Sequence, residues 1–70
     1  MNKFVLTIHS NVNKTSVDVL KGDSHGAFLG MVETAKYMQT YLLKSQSITI
    51  CEVETGEVMF KVVGIAIVEQ

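Results

Sequence analysis

The side chains best suited to metal or nucleophilic chemistry in this chain of 70 residues are His9, His25 and Cys51. None of them falls at a zinc-ligand spacing such as CxxC or HExxH, so a metal site would need an accidental convergence of all three. His9 reads as an outward residue of a strand. His25 reads as a first-turn helix residue, where the positive end of the helix dipole disfavours an imidazolium. A nucleophilic Cys51 would need a neighbouring base and a depressed pKa. It lies in an apolar strand segment, where a cysteine usually serves as a small buried hydrophobe. Asp23 stands next to Ser24 before an apolar-periodic stretch, which makes the two of them candidate helix caps rather than a catalytic acid. Gly26 and Gly30 sit inside a helical pattern, without the GxxxxGK[ST] sequence of a phosphate loop. Glu52, Glu54 and Glu57 read as a solvated turn in preference to an acidic patch for a basic partner, with Lys61 on the facing strand to compensate them in part. No acid–base pair is recognisable. The chain is therefore read as a non-enzyme with no catalytic residue, metal or cofactor.

The elements that carry these residues follow from periodicity. Phe4, Leu6 and Ile8 alternate with Val5, Thr7 and His9 over a strand from Lys3 to Ser10. Asparagines in Ser10–Lys14 predict a turn. A second strand from Thr15 to Lys21 places Val17 and Val19 inward and Leu20 outward. Gly22, Asp23 and Ser24 end that strand and open a helix predicted over Ser24–Lys44. Its Phe28, Met31, Val32, Ala35, Met38 and Leu42 share one face and form a core stripe. A third strand runs from Ser47 to Val53, and Gly56 supplies the turn to a fourth that begins at Val58 and extends toward Val68. The stretch Val62–Val68 is apolar on both faces, as in a strand that is central, covered on both sides or paired with another chain. Gly64 within it predicts a bulge or a close backbone approach.

The resulting fold class is α+β: one domain, residues 1–70, in β-β-α-β-β order. Its four-stranded, antiparallel-rich sheet carries one long helix on one face. That helix covers Phe4, Leu6, Ile8, Val17, Val19, Ile48 and Ile50. The far face then holds Val5, Thr7, His9, Leu20, Cys51, Val53 and part of the last strand, a mixed face that is more apolar than a solvated one should be.

The helix also has a second stripe. Gly26, Gly30, Thr34, Tyr37 and Tyr41 recur in steps of three and four, where an exposed helix face normally carries Glu, Lys and Ala. Small residues admit another backbone, and tyrosines are enriched at interfaces. Gly30, Thr34, Tyr37 and Tyr41 are accordingly the expected partner-binding residues, with the far sheet face and the two-sided last strand as the alternative contact surface. An apolar fraction of 47% supports a real core, yet a domain this small buries only about 60% of its unfolded surface. A single cysteine can form no intrachain disulfide, so association is the available means of further burial. A homodimer is expected.

Composition narrows the partner. The net charge is −1, and the six basic residues are all lysines, unclustered. Arginine is the usual bidentate reader of phosphate and guanine, so no nucleic acid is expected. No segment approaches the roughly 18 apolar residues of a membrane span. The start lacks a small-residue cleavage site, so the chain is read as cytoplasmic. In length and element order it resembles small phage accessory proteins, including certain anti-CRISPR and host-takeover proteins. That resemblance covers the architecture of the whole chain and rests on no diagnostic motif. It implies a phage-encoded inhibitor that acts by occlusion in the host cytoplasm. The alternative is an oligomeric binder that sequesters a small molecule or nucleotide.

Overall fold

A computed structural model describes residues 3–67. The element order is β1 (Phe4–Ser10), β2 (Thr15–Gly22), α1 (His25–Gln39), β3 (Gln46–Glu52) and β4 (Val58–Val63). All neighbouring strands are antiparallel, in the order β2-β1-β3-β4. The two expected hairpins are present, and β1 with β3 joins them through the centre of the sheet. Leu6, Ile48 and Ile50 are fully buried under the helix, with Phe4, Met31 and Ala35 completing the core. No helix among the described residues is long and apolar enough to cross a membrane.

The hairpin between β1 and β2 turns through Lys14, whose φ is +54°. The left-handed position thus falls on the lysine and not on either of the asparagines that predicted the turn. A side chain with Cβ is strained there, whereas glycine is not. Lys14→Gly is expected to raise stability by about 0.5–1 kcal/mol, read as a higher urea midpoint with unchanged slope.

Two bulges change the inward assignments. The register jumps between Leu6 and Thr7, leaving Val19 without a partner on β1. Opposite residues of an antiparallel pair share a face. Leu20 therefore lies opposite Leu6 on the helix side, contrary to the alternation read from the sequence, while Val17 keeps its predicted side opposite Ile8. Val17 is nevertheless 61% exposed and Val19 44%. The second bulge, between Ile50 and Cys51, leaves Met59 unpaired on β4.

The helix begins as expected and ends early. Ser24, and not Asp23, is the N-cap: its backbone is extended and its Oγ accepts from the Ala27 N–H at 3.0 Å. The apolar period continues to Lys44, but α1 stops at Gln39. Thr40 donates its hydroxyl to the Tyr37 carbonyl at 2.9 Å. The Tyr41 N–H bonds Met38 O instead, one residue closer than an α-helix requires, so the chain tightens. Gln39 O is taken by the Ile65 N–H, and the Leu43 N–H turns to the Gln46 side chain. Lys44 consequently lies outside the helix, whose last-turn cation is Lys36.

The last strand is also shorter than predicted, and it is an edge strand rather than a central one. It ends at Val63. Gly64 is buried where the chain leaves the sheet, and its N–H bonds Gln46 O at 2.9 Å. Beyond it, the Ala66 N–H donates to Leu42 O at 2.9 Å. The close approach expected at Gly64 is real: the Leu42 and Leu43 carbonyls press on its Cα, leaving no room for a Cβ. The two-sided apolar run is thus two pieces with different neighbours. Val68 lies outside the described residues.

Candidate functional site

Three contacts fix how α1 lies on the sheet. At its start, Ala27 and Met31 press on Gly22, where a Cβ would come within 2.5 Å of the Ala27 Cβ. At its end, Gln39 Nε2 donates to Val63 O at 2.8 Å. Gly22 is at one end of β2 and Val63 at the opposite end of β4, so the helix crosses the sheet diagonally. Four strands span about 14 Å between the outer backbones, and a helix with its side chains is about 10–12 Å across. The corner of β2 near Val17 therefore stays uncovered.

The expected partner-binding residues overlook that corner. At about 100° per residue, the buried Met31 and Ala35 mark the inward direction. Ala27 then lies toward β2, and Gln39 toward β4. Thr34, Gly30 and Tyr37 continue from Ala27 up the β2 side, and Tyr41, in the turn beyond the helix and so off the predicted helical stripe, is held beside Tyr37 by their ring contact. They form a flank rather than the outermost line of the helix. Exposure follows this placement: Thr34 is half-buried, whereas Gly30, Tyr37 and Tyr41 are exposed. Gly26 is exposed in the first turn. The Thr34 hydroxyl is turned back onto Gly30 O at 3.0 Å. The rings of Tyr37 and Tyr41 lie 5.4 Å apart with their hydroxyls at 3.3 Å, so the pair forms one aromatic ridge. The hydrogen bond to Tyr37, with a smaller contribution from desolvation, raises the Tyr41 pKa above its ordinary value.

Gly30 leaves open space, since a Cβ would meet nothing within 4 Å. Gly30→Ala is expected to stabilise the fold by about 1 kcal/mol through helix propensity. A rise in melting temperature with an unchanged circular dichroism spectrum would bear this out; a fall would mean that the glycine is required by the fold.

The far sheet face is mixed, with a polar centre and exposed valines on its β4 side. Register places Ser16, His9, Ser47 and Val63 in one row, Asp18, Thr7, Thr49 and Lys61 in the next, and Lys21, Val5, Cys51 and Val58 in a third. The centre is polar and hydrogen-bonded. His9 Nδ1 lies 2.8 Å from Ser16 Oγ, and its Nε2 lies 2.8 Å from Thr49 Oγ1. Thr7 donates to Asp18 at 3.0 Å. That centre is suited to water, while Val58 and Val63 at the β4 side remain about half exposed. Leu20, assigned to it from the sequence, is on the other side, and Lys61 stands opposite Thr49 rather than a glutamate.

The Ser16–His9 contact joins a hydroxyl to a base, the pairing used in acyl transfer. What backs the imidazole is the Thr49 hydroxyl, while the Asp18 carboxylate is engaged by Thr7. A carboxylate that would orient the ring and stabilise its cation is thus directed elsewhere. The cluster escaped sequence reasoning because Thr49 reaches His9 only through the β1–β3 pairing. Alternating hydroxyls in three strands were the available signal.

The remaining candidates separate in space. His25 stacks on Phe28 at the helix start, away from His9 and Cys51 on the far face. Among the described residues, no group of three or more His, Cys, Asp or Glu side chains could hold a metal ion. Glu52 accepts from Thr55 within its turn at 2.9 Å. An open depression is lined by Lys3, Phe4, Lys21, Gly22, Asp23 and Val53. Its openness favours no enclosed ligand. No protein-family model matches the chain, and neither a curated protein nor a solved structure matches it significantly.

Proposed function

We propose that this chain is a small non-enzymatic protein-binding module, an inhibitor or adaptor that acts by covering a surface of another protein. One observation carries the reading. Among the described residues, six apolar side chains are buried in the core while thirteen large hydrophobic ones are exposed. Scattered apolar residues are ordinary on a surface. Here Tyr37 and Tyr41 form a bonded ridge beside uncovered Val17 and Leu20, which makes a patch of the kind that marks protein contacts. The contact residues on this reading are Gly30, Thr34, Tyr37 and Tyr41. The resemblance in element order to phage accessory proteins extends the proposal to a host protein as target, met in the bacterial cytoplasm.

Capture from bacterial lysate tests the reading. The immobilised chain is expected to retain a specific protein, and Tyr37→Ala with Tyr41→Ala is expected to release it. Retention of the same protein by the double variant would move the contact surface elsewhere. Failure of the wild-type chain to bind any protein, itself included, would refute the module.

A further inference from the structure

We infer that, until a target displaces it, the occupant of this flank is a second copy of the chain, docked about a two-fold axis so that the tyrosine ridge of each copy covers Val17 and Leu20 of the other. The inference rests on the protein-binding reading and names the partner of the same surface.

Shape is the first support. A ridge, Tyr37 with Tyr41, stands on the β2 side of the helix end, above a strip of β2 exposed at Val17 and Leu20. A two-fold axis needs one patch that carries both the projecting and the receiving part, and this patch carries both. Open space at Gly30 lets a second backbone approach the ridge closely.

Charge is the second. A two-fold axis brings residues near their own images, so a charged patch would repel itself. Among the strip's own side chains there is none: register turns Asp18 and Lys21 to the far sheet face, Glu33 and Lys36 pair on the helix at 3.9 Å, and the exposed Lys14 and Lys44 stand at its end, where the hairpin turn meets the segment after the helix. By the same angular steps Glu33 and Lys36 lie beyond the flank, toward the helix top and the β4 side.

Area is the third. Val17 is 61% exposed, Leu20 40%, Tyr37 67% and Tyr41 68%. With the half-buried neighbours, these side chains leave about 500 Å² per copy, and about 1,000 Å² for a pair reaches the size of a specific but weak interface. Dissociation in the micromolar range is expected.

Sedimentation velocity on the full chain tests this, with circular dichroism as a check on folding. The wild type is expected to sediment as a dimer at high micromolar concentration. Val17→Asp and the pair Tyr37→Ala with Tyr41→Ala are each expected to give folded monomers. Val58→Asp, on the β4 edge, is expected to remain dimeric. Should Val17→Asp unfold, the tyrosine variant decides alone. A dimer that survives both flank variants, or that only Val58→Asp abolishes, overturns the inference. A wild-type monomer that captures another protein through the tyrosines overturns it too, and leaves the binding reading intact. A wild type that associates with nothing sinks both.

Discussion

Gly64→Ala is expected to remove a large share of the protein's stability. The added methyl would collide with the Leu42 and Leu43 carbonyls. These are backbone atoms fixed from several sides. Leu42 O accepts from the Ala66 N–H, and the Leu43 N–H bonds the Gln46 side chain. Gly64 itself is tied to Gln46 O. Relief would require this whole junction between the end of the helix and the end of β4 to open. A forced overpacking of this kind costs about 3 kcal/mol or more. The chain can have only about 3.5–10 kcal/mol in total, at 0.05–0.15 kcal/mol per residue. Urea titration should show the midpoint fall to a fraction of the wild-type value. A variant as stable as the wild type would mean that the junction is loose and that the tail does not hold the helix end.

Tyr37→Ala combined with Tyr41→Ala is expected to do the opposite: little to stability and much to association. Both rings are about two-thirds exposed. Their mutual contact contributes about 0.5–1.5 kcal/mol at most, and alanine's better helix propensity at position 37 recovers part of it. In an interface the same rings are anchor residues, and truncation of such anchors costs about 2 kcal/mol or more each. Losing both should weaken the dimer at least about a hundredfold. Equilibrium sedimentation measures this loss. Unfolding of the double variant would instead place the tyrosines in the core.

Much of the fold was legible because single elements obey local rules. The stripe Phe28, Met31, Val32, Ala35, Met38 and Leu42 is buried or packed against the core throughout. Ser24 caps the helix, and Gly56 adopts φ +73° in its turn. What failed depends on contacts between distant segments. The helix end is set by competition for carbonyls: Thr40 reaches Tyr37, and Ile65 reaches Gln39. No apolar period records that competition. A single unpaired residue, Val19, turned Leu20 to the other face, and nothing in Thr15–Lys21 marks it. The apolar run after Val62 reads as one strand because its first part faces β3 while its second part packs on the helix end. The candidate stripe itself was read correctly as a set of exposed residues, Thr34 excepted, which is half-buried. Its position beside Val17 and Leu20 was not readable, because it follows from the diagonal crossing of the helix.

That juxtaposition is the centre of the account, and amide chemical shifts followed through a dilution series test it most directly. Association through the flank predicts concentration-dependent shifts at Val17, Leu20, Gly30, Thr34, Tyr37 and Tyr41, with His9, Thr49 and Val58–Val63 unmoved. Shifts confined to β4 or to the far sheet face, or spectra unchanged at every concentration, would contradict it.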